Sequence, residues 1–398
     1  MLLIGRFSLI QVDIPQIVIL GAGVSGLRIA KKLKRELRPG EADLLLVDQN
    51  DYHQLLYRLH KVCNYEYAEK DIIVPLKRLI KDIPLKKATV ETIDIETDTV
   101  KTDKGDIPYD ILVVAMGSHP AFFNIEGIQE NSETLGNYEE AKRIREKLFT
   151  LFSEAKQNKK QPSIVLGGAG FTGIELAGEL CDCLPRLYKK HEIDEPEKLF
   201  TIVEALPTIL PGWDERLIEE GSEFLKRNKV ELCLKNPVSR VGVNKVELKD
   251  GKTLTPDLFI WTGGVEGDPA CGEGFEIRAR RISVNEHLQQ AENDNVFIAG
   301  DQACTVNLDG RPMPPNAHIA MMQADVAADN IIAMLRKKPL KKYKFEHAGE
   351  VVTFGKGYAV GEIFGINLKG LPAKVMKQFI HLWYLHSIGG VSLLLEYW

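Results

Sequence analysis

Apolar and polar positions along this chain fall into blocks. Gln16 to Leu20 is a short apolar run, followed at once by Gly21-Ala-Gly23-Val-Ser-Gly26 and then by Leu27 to Leu37, where apolar residues recur at helical spacing. The pattern predicts strand, tight turn, helix. Leu44 to Val47 reads as a second buried strand that ends at Asp48. The same succession returns at Ser163 to Gly167, Gly168-Ala-Gly170-Phe-Thr-Gly173, and a helix through Glu175 to Leu180. Its following strand, Leu199 to Val203, ends at Glu204. Two further apolar runs end in small residues: Ile111 to Val114 before Ala115-Met-Gly117, and Val296 to Ala299 before Gly300-Asp301. Apolar strands alternating with helices predict an α/β fold with two Rossmann-like dinucleotide-binding domains.

Each glycine of such a turn has its own task. The first permits the turn, the second lets a pyrophosphate approach the backbone, and the third lets helix and strand pack closely; the helix N-terminus then attracts the phosphates. Asp48 stands 22 residues beyond Gly26, where a carboxylate can accept the ribose hydroxyls. Glu204 holds the matching place after Gly168, Gly170 and Gly173, and Ala205 to Leu210 contains no Arg to receive a 2′-phosphate, so NADH is favoured over NADPH. Two cradles in one chain imply one resident flavin dinucleotide and one exchanging nicotinamide dinucleotide.

The chain has 398 residues, enough for two or three domains. Its 44% hydrophobic and 27% charged composition excludes disorder, and a net charge of −5 argues against a nucleic-acid binder. Residues 336–398 nevertheless carry ten Lys/Arg against four Asp/Glu, which predicts that the tail faces something the body does not. The six cysteines show no CxxC spacing, so neither a metal site nor a disulfide framework is expected. Met1 to Phe7 is a poor signal peptide and reads as an extension before the first strand. No run of apolar residues is long enough for a spanning helix.

Taken together, the two cradles and the strand ends at Ala115-Met-Gly117 and Gly300-Asp301 resemble the two-dinucleotide flavoprotein superfamily. Within it the chain resembles the type II NADH:quinone oxidoreductases, through Val47 to His53, Ile164 to Leu180, Ile260 to Val265 including Gly264, and Pro315 to Gln323. The resemblance implies that Asp301 holds the flavin ribityl chain, that Ala115 and Gly117 line the cofactor, and that a helix beginning near Ala317 points at the flavin. It implies that Glu175 lies where nicotinamide stacks; the alternative on its residues alone is that Glu175 only complements the helix dipole. Relatives carry Ala-Gln-x-Ala-x-Gln at the quinone pocket, whereas this chain has His318 and Met322 at the matching positions and Ala348-Gly349 in place of a Lys-Gly pair. His318 can still hydrogen-bond a quinone carbonyl, or serve as a structural histidine.

The last segment, Pro372 to His386, has a helical period, with Val375, Met376, Phe379, Ile380 and Trp383 on one face and Lys374, Lys377, Gln378 and His381 on the other. This predicts an amphipathic helix at a lipid surface, its cations meeting anionic headgroups, broken at Gly389-Gly390. The expected organisation is a discontinuous FAD domain (1–120 and 256–335), an NADH domain (121–255) and a membrane-anchoring region (336–398). The resemblance implies two electrons passing from NADH through FAD to a membrane quinone without proton pumping, on the cytoplasmic face of the cell membrane, with a homodimer left open. A sulfide:quinone oxidoreductase or flavoprotein oxidoreductase with another acceptor, and an NADH-binding flavoprotein with a signalling or scaffold role, are the alternatives. The first uses a cysteine late in the chain, and here none follows Cys304.

Overall fold

The computed structural model describes residues 14–64, 69–268, 270, 274–307, 309–346 and 348–397; the expected N-terminal extension, Cys271 and Trp398 lie outside them. The chain forms two compact units, residues 1–51, 80–117 and 267–345, and residues 52–79, 118–266 and 346–398.

The first unit is built on a six-stranded sheet in the order Gln289–Gln290, Asn293–Ile298, Ile111–Val114, Gln16–Leu20, Asp43–Asp48 and Leu85–Lys87. Only the first of these edges pairs antiparallel. Val18, Leu20, Leu112, Val114, Val296 and Ile298 line one buried face, and Ile17 and Ile19 are equally buried between them. Burial on both faces is why these strands read as continuous apolar runs. Helices Val24–Glu36 and Ala317–Leu335 pack together: Ser25 Oγ donates to Ala320 O at 3.1 Å, and Arg28 makes a bidentate pair with Asp325 at 2.8 and 2.7 Å.

The second unit has a five-stranded parallel sheet, ordered Glu133–Thr134, Leu258–Trp261, Ile164–Gly167, Phe200–Val203 and Val230–Cys233. Leu258–Trp261, which the sequence boundaries put with the first domain, pairs residue for residue with Ile164–Gly167. Nothing local marks that choice, because a buried apolar strand suits either sheet. Residues 52–79 also cluster with this unit, and 336–345 with the other.

Gly349–Phe354, Tyr358–Ile363 and Ile366–Lys369 form an antiparallel sheet that leads into the C-terminal helix, Leu371–Tyr397. The helix leaves helical geometry at Gly390, whose φ is 68°. Ala373, Met376 and Ile380 pack on the sheet with Val351, Ala359, Ile363 and Leu368. Val375, Phe379 and Trp383 face outward, as do Val391 and Leu395 after the kink.

The polar stripe of this helix corrects an expectation. Lys377 and His381 are buried, so these two do not meet lipid headgroups. They turn inward because partners await them: Glu175 for Lys377, the Tyr57 ring for His381, and His53 for the adjacent Tyr384. Part of the tail's surplus charge is likewise absorbed. Arg336 pairs with Glu41 at 2.7 Å, Lys341 with Asp329 at 2.6 Å, Lys342 with Glu286 at 2.8 Å, and Lys369 with Glu220. Tail cations and body carboxylates complement one another inside each unit. Among the described residues no helix is long and apolar enough to cross a membrane.

Candidate functional site

The two cradles share one construction. At the first, a Cβ on Gly21 would stand 2.3 Å from Ala115 O, and one on Gly26 would stand 1.8 Å from Gly21 O. Neither position can carry a side chain, and Gly21 also has a φ of +92°. A Cβ on Gly23 would meet nothing within 4 Å, which leaves the middle of the turn open to a ligand. Asp48 accepts from Ala22 N at 2.6 Å and from Asn50 N at 2.7 Å, tying the strand end to the turn. Burial raises its pKa against those hydrogen bonds.

In the second cradle, Gly168 has a φ of +98° and is closed by Thr262 at 2.7 Å, while Gly173 is closed by Gly168 O at 2.2 Å. Gly170 is open, with nothing within 4 Å of a Cβ. Glu204 accepts from Ala169 N at 2.7 Å and from Leu206 N at 2.8 Å, repeating what Asp48 does. Both cradles therefore have the open middle glycine and fixed strand-end carboxylate that a dinucleotide needs, and the residues present at each fit a dinucleotide such as FAD or NADH.

One turn into the helix Phe171–Lys190, Glu175 is buried among charged partners. Lys377 Nζ lies 2.9 Å from its Oε1, Thr353 Oγ1 donates to the same oxygen at 2.9 Å, and His60 Nδ1 is 3.4 Å from Oε2. Burial alone would push this carboxyl up. Lys377 outweighs it, with hydrogen bonds from Lys377 and Thr353 adding to its charge, and holds the group below its ordinary value. Burial drives His60 down to about 4, so its imidazole is neutral at pH 7. Lys377 also donates to Val351 O at 2.8 Å, and its Nζ sits 4.6 Å over the Phe171 ring. His60 Nε2, His381 Nε2 and Tyr57 OH are buried with no hydrogen-bond partner.

Of the expected residues, Gly21, Gly23, Gly26 and Asp48 meet at the first cradle and Gly168, Gly170, Gly173 and Glu204 at the second. Ala115 abuts Gly21, so its smallness serves the close approach of backbone. Gly117, with a φ of +81°, has open space around it, and the Gly264 carbonyl accepts from Ala121 N at 3.0 Å. Gly300 and Asp301 open a 3-10 turn at the strand end. Ala317 begins its helix behind Asn316, whose side chain accepts from Ile319 N at 2.8 Å, and His318 follows half-buried. Gln323, a full turn further on, is wholly buried, accepts from Gly300 N at 2.7 Å and donates to Thr305 at 3.1 Å. It is a brace for the Gly300 turn. Cys181, Cys183 and Cys304 are buried free thiols. The sequence reading missed His60 and Thr353 and turned Lys377 outward. The one available signal was a Glu in an otherwise apolar stretch, which demands a partner when buried.

Comparison with known proteins agrees with this geometry. Residues 15–324 match the family of pyridine nucleotide-disulphide oxidoreductases. The type II NADH:quinone oxidoreductase of Staphylococcus haemolyticus is 32% identical over 96% of this chain and 98% of its own length. That of Staphylococcus aureus is 31% identical over the same shares, 96% and 98%. In fold, NDH2 from Plasmodium falciparum, solved with RYL-552, superposes with a TM-score of 0.83 at 14% identity, covering 96% of this chain and 97% of that one. The sulfide:quinone oxidoreductase of Aquifex aeolicus gives a TM-score of 0.77 at 21% identity, with 94% and 91% covered. The chain belongs to the pyridine nucleotide-disulphide oxidoreductases and, within them, to the type II NADH:quinone oxidoreductases. It is an oxidoreductase that uses FAD and NADH.

Proposed function

We propose that the unit carrying Gly21, Gly23, Gly26 and Asp48 holds FAD, that the unit carrying Gly168, Gly170, Gly173 and Glu204 binds NADH, and that electrons leave to a membrane quinone. The observation that carries this reading is the repeated cradle, open at Gly23 and at Gly170, with a carboxylate fixed at each strand end. FAD, when bound, supplies the relay between a two-electron donor and a two-electron acceptor. Asp48 accepts from one ribose and Asp301 holds the ribityl chain. Gln323 keeps the Gly300 turn in shape for that contact. Glu204 accepts the ribose hydroxyls of NADH and repels a 2′-phosphate.

Glu175 and Lys377 form the polar floor beside the nicotinamide end of the second cradle, one helical turn from Gly170. Held ionised by Lys377, Glu175 orients its neighbours and does not serve as a proton donor at neutral pH. His318 takes the quinone carbonyl in place of an amide. The outward stripe of Val375, Phe379 and Trp383 rests on the bilayer, and since NADH is intracellular, on its cytoplasmic face.

The test is anaerobic stopped-flow spectroscopy of the FAD-loaded protein. NADH should bleach the flavin absorbance at once, and a soluble quinone added afterwards should restore it. A flavin spectrum that NADH leaves untouched overturns the reading.

A further inference from the structure

The hairpin between the last two strands makes a choice its turn geometry disfavours. Ile363 pairs directly with Ile366, so Phe364 and Gly365 form a two-residue turn, with φ values of 49° and 78°. Turns with positive φ at both central positions are normally Asn-Gly or Asp-Gly, because a bulky side chain is strained there. Here the first position holds a phenylalanine that is 79% exposed, followed across the turn by Ile366 at 64%. The sequence thus accepts backbone strain in order to place a ring in the open.

The tip does not stand alone. Of the seventeen exposed large apolar residues among the described residues, eight fall between Phe364 and Leu395. Opposed residues of an antiparallel pair point to the same face, and Ile363 packs in the cluster under the C-terminal helix. Ile366 therefore lies on the face of the sheet that carries that helix. Leu371, directly after the last strand, and Val375, Phe379 and Trp383 continue the apolar surface. A tryptophan on such a surface suits the boundary between headgroups and acyl chains.

We propose that the Phe364–Ile366 hairpin tip is a second membrane contact, a wedge that enters the bilayer interface beside the C-terminal helix. This rests on the membrane reading of the helix given above. The occupant is lipid: the nearby Lys369 is paired with Glu220 and Lys377 with Glu175, so the surface on offer is chiefly apolar, with Lys374 beside it to meet headgroups.

The test uses the full-length, FAD-loaded protein and extruded vesicles of phosphatidylethanolamine and phosphatidylglycerol. Phe364→Asn relieves the turn and removes the ring, so the melting temperature should hold or rise while vesicle partitioning weakens at least about tenfold. A merely structural role would move both in the same direction. The Phe364→Trp variant should show, as a difference from wild type, blue-shifted emission on vesicles and quenching by lipids brominated on the acyl chain. Unchanged partitioning of Phe364→Asn, or emission in Phe364→Trp indifferent to vesicles, overturns the wedge. So does a wild-type dimer in light scattering that Phe364→Asn dissociates, which would make the tip a contact between copies. A triple Val375→Ser, Phe379→Ser, Trp383→Ser variant separates the two readings. Loss of binding there with none in Phe364→Asn sinks the wedge alone, and a wild type that ignores vesicles sinks the membrane reading with it.

Discussion

Lys377 and Glu175 meet in an ion pair 2.9 Å long with both side chains almost wholly out of solvent. The pair joins the C-terminal helix to the helix of the second cradle, and it fixes which face of the terminal helix looks inward. Two opposite charges taken from water together are tolerable only with further hydrogen bonds, here from Thr353 to Glu175 and from Lys377 to Val351 O.

Breaking one side of that pair leaves the other charge stranded. Lys377→Met should destabilise the protein by about 3–5 kcal/mol, read from chemical denaturation, and slow reduction of the flavin by NADH. Adding Glu175→Gln should recover much of the stability, because the stranded charge is then gone. Additive losses in the double variant would show that the two side chains do not act as a pair.

Acid should unfold this protein earlier than its composition suggests. His60 is held neutral in the folded state, with a pKa of about 4, while in the unfolded chain it titrates near 6.5. Between those values the unfolded state binds the extra proton, so stability falls as pH drops through the window from about 6.5 to about 4, by up to about 1.4 kcal/mol per pH unit from this group. His381, also pushed down by burial, adds in the same direction. From about 4.5 downward Glu175, whose pKa is depressed, progressively loses its contribution. Denaturation midpoints across this range, compared with His60→Gln, should show a flatter slope in the variant.

Cofactor choice should follow Glu204. NADH should exceed NADPH at least tenfold in kcat/KM, about 1.4 kcal/mol. Glu204→Gln can still accept from Ala169 N and keep the turn, so its effect should fall on the ribose: a raised KM for NADH and a narrowed gap to NADPH, with FAD content unchanged. Equal efficiencies in the wild type would remove the role given to the carboxylate.

His318 and Gln323 should part company. His318→Ala should raise the quinone KM or lower quinone turnover roughly tenfold, the scale of one hydrogen bond to a polar ligand group, and leave anaerobic flavin reduction alone. Gln323→Leu should instead loosen FAD, since Gly300 N and Thr305 lose their partner. Flavin content after gel filtration distinguishes the two.

Binding to membranes should depend only weakly on salt. Half of the tail's ten cations, Arg336, Lys341, Lys342, Lys369 and Lys377, are paired with the protein's own carboxylates, so partitioning onto vesicles should change modestly between low and high sodium chloride. A steep loss of binding with added salt would restore an electrostatic anchor.

The sequence by itself determined the local machinery. Glycines at Gly21, Gly23 and Gly26, and again at Gly168, Gly170 and Gly173, are legible because backbone geometry at a tight turn depends on the residue and its immediate neighbours. Asp48 and Glu204 are legible because a strand ends where its apolar run ends. Of the apolar stripe read from helical period, Val375, Phe379 and Trp383 face outward as expected, whereas Met376 and Ile380 pack on the neighbouring sheet. Period cannot say which stripe faces in. That Lys377 turns inward was decided by Glu175, a residue of another element, and only tertiary structure brings a buried carboxylate and its cation together. The same holds for Leu258–Trp261, an apolar strand whose sheet is chosen by long-range pairing, and for His60 and Thr353, which acquire a role only from what they touch. It holds also for the tail charge: counted along the chain it is a surplus, and folded against Glu41, Asp329, Glu286, Glu220 and Glu175 much of it is neutralised, because charge pairing is a matter of distance in space.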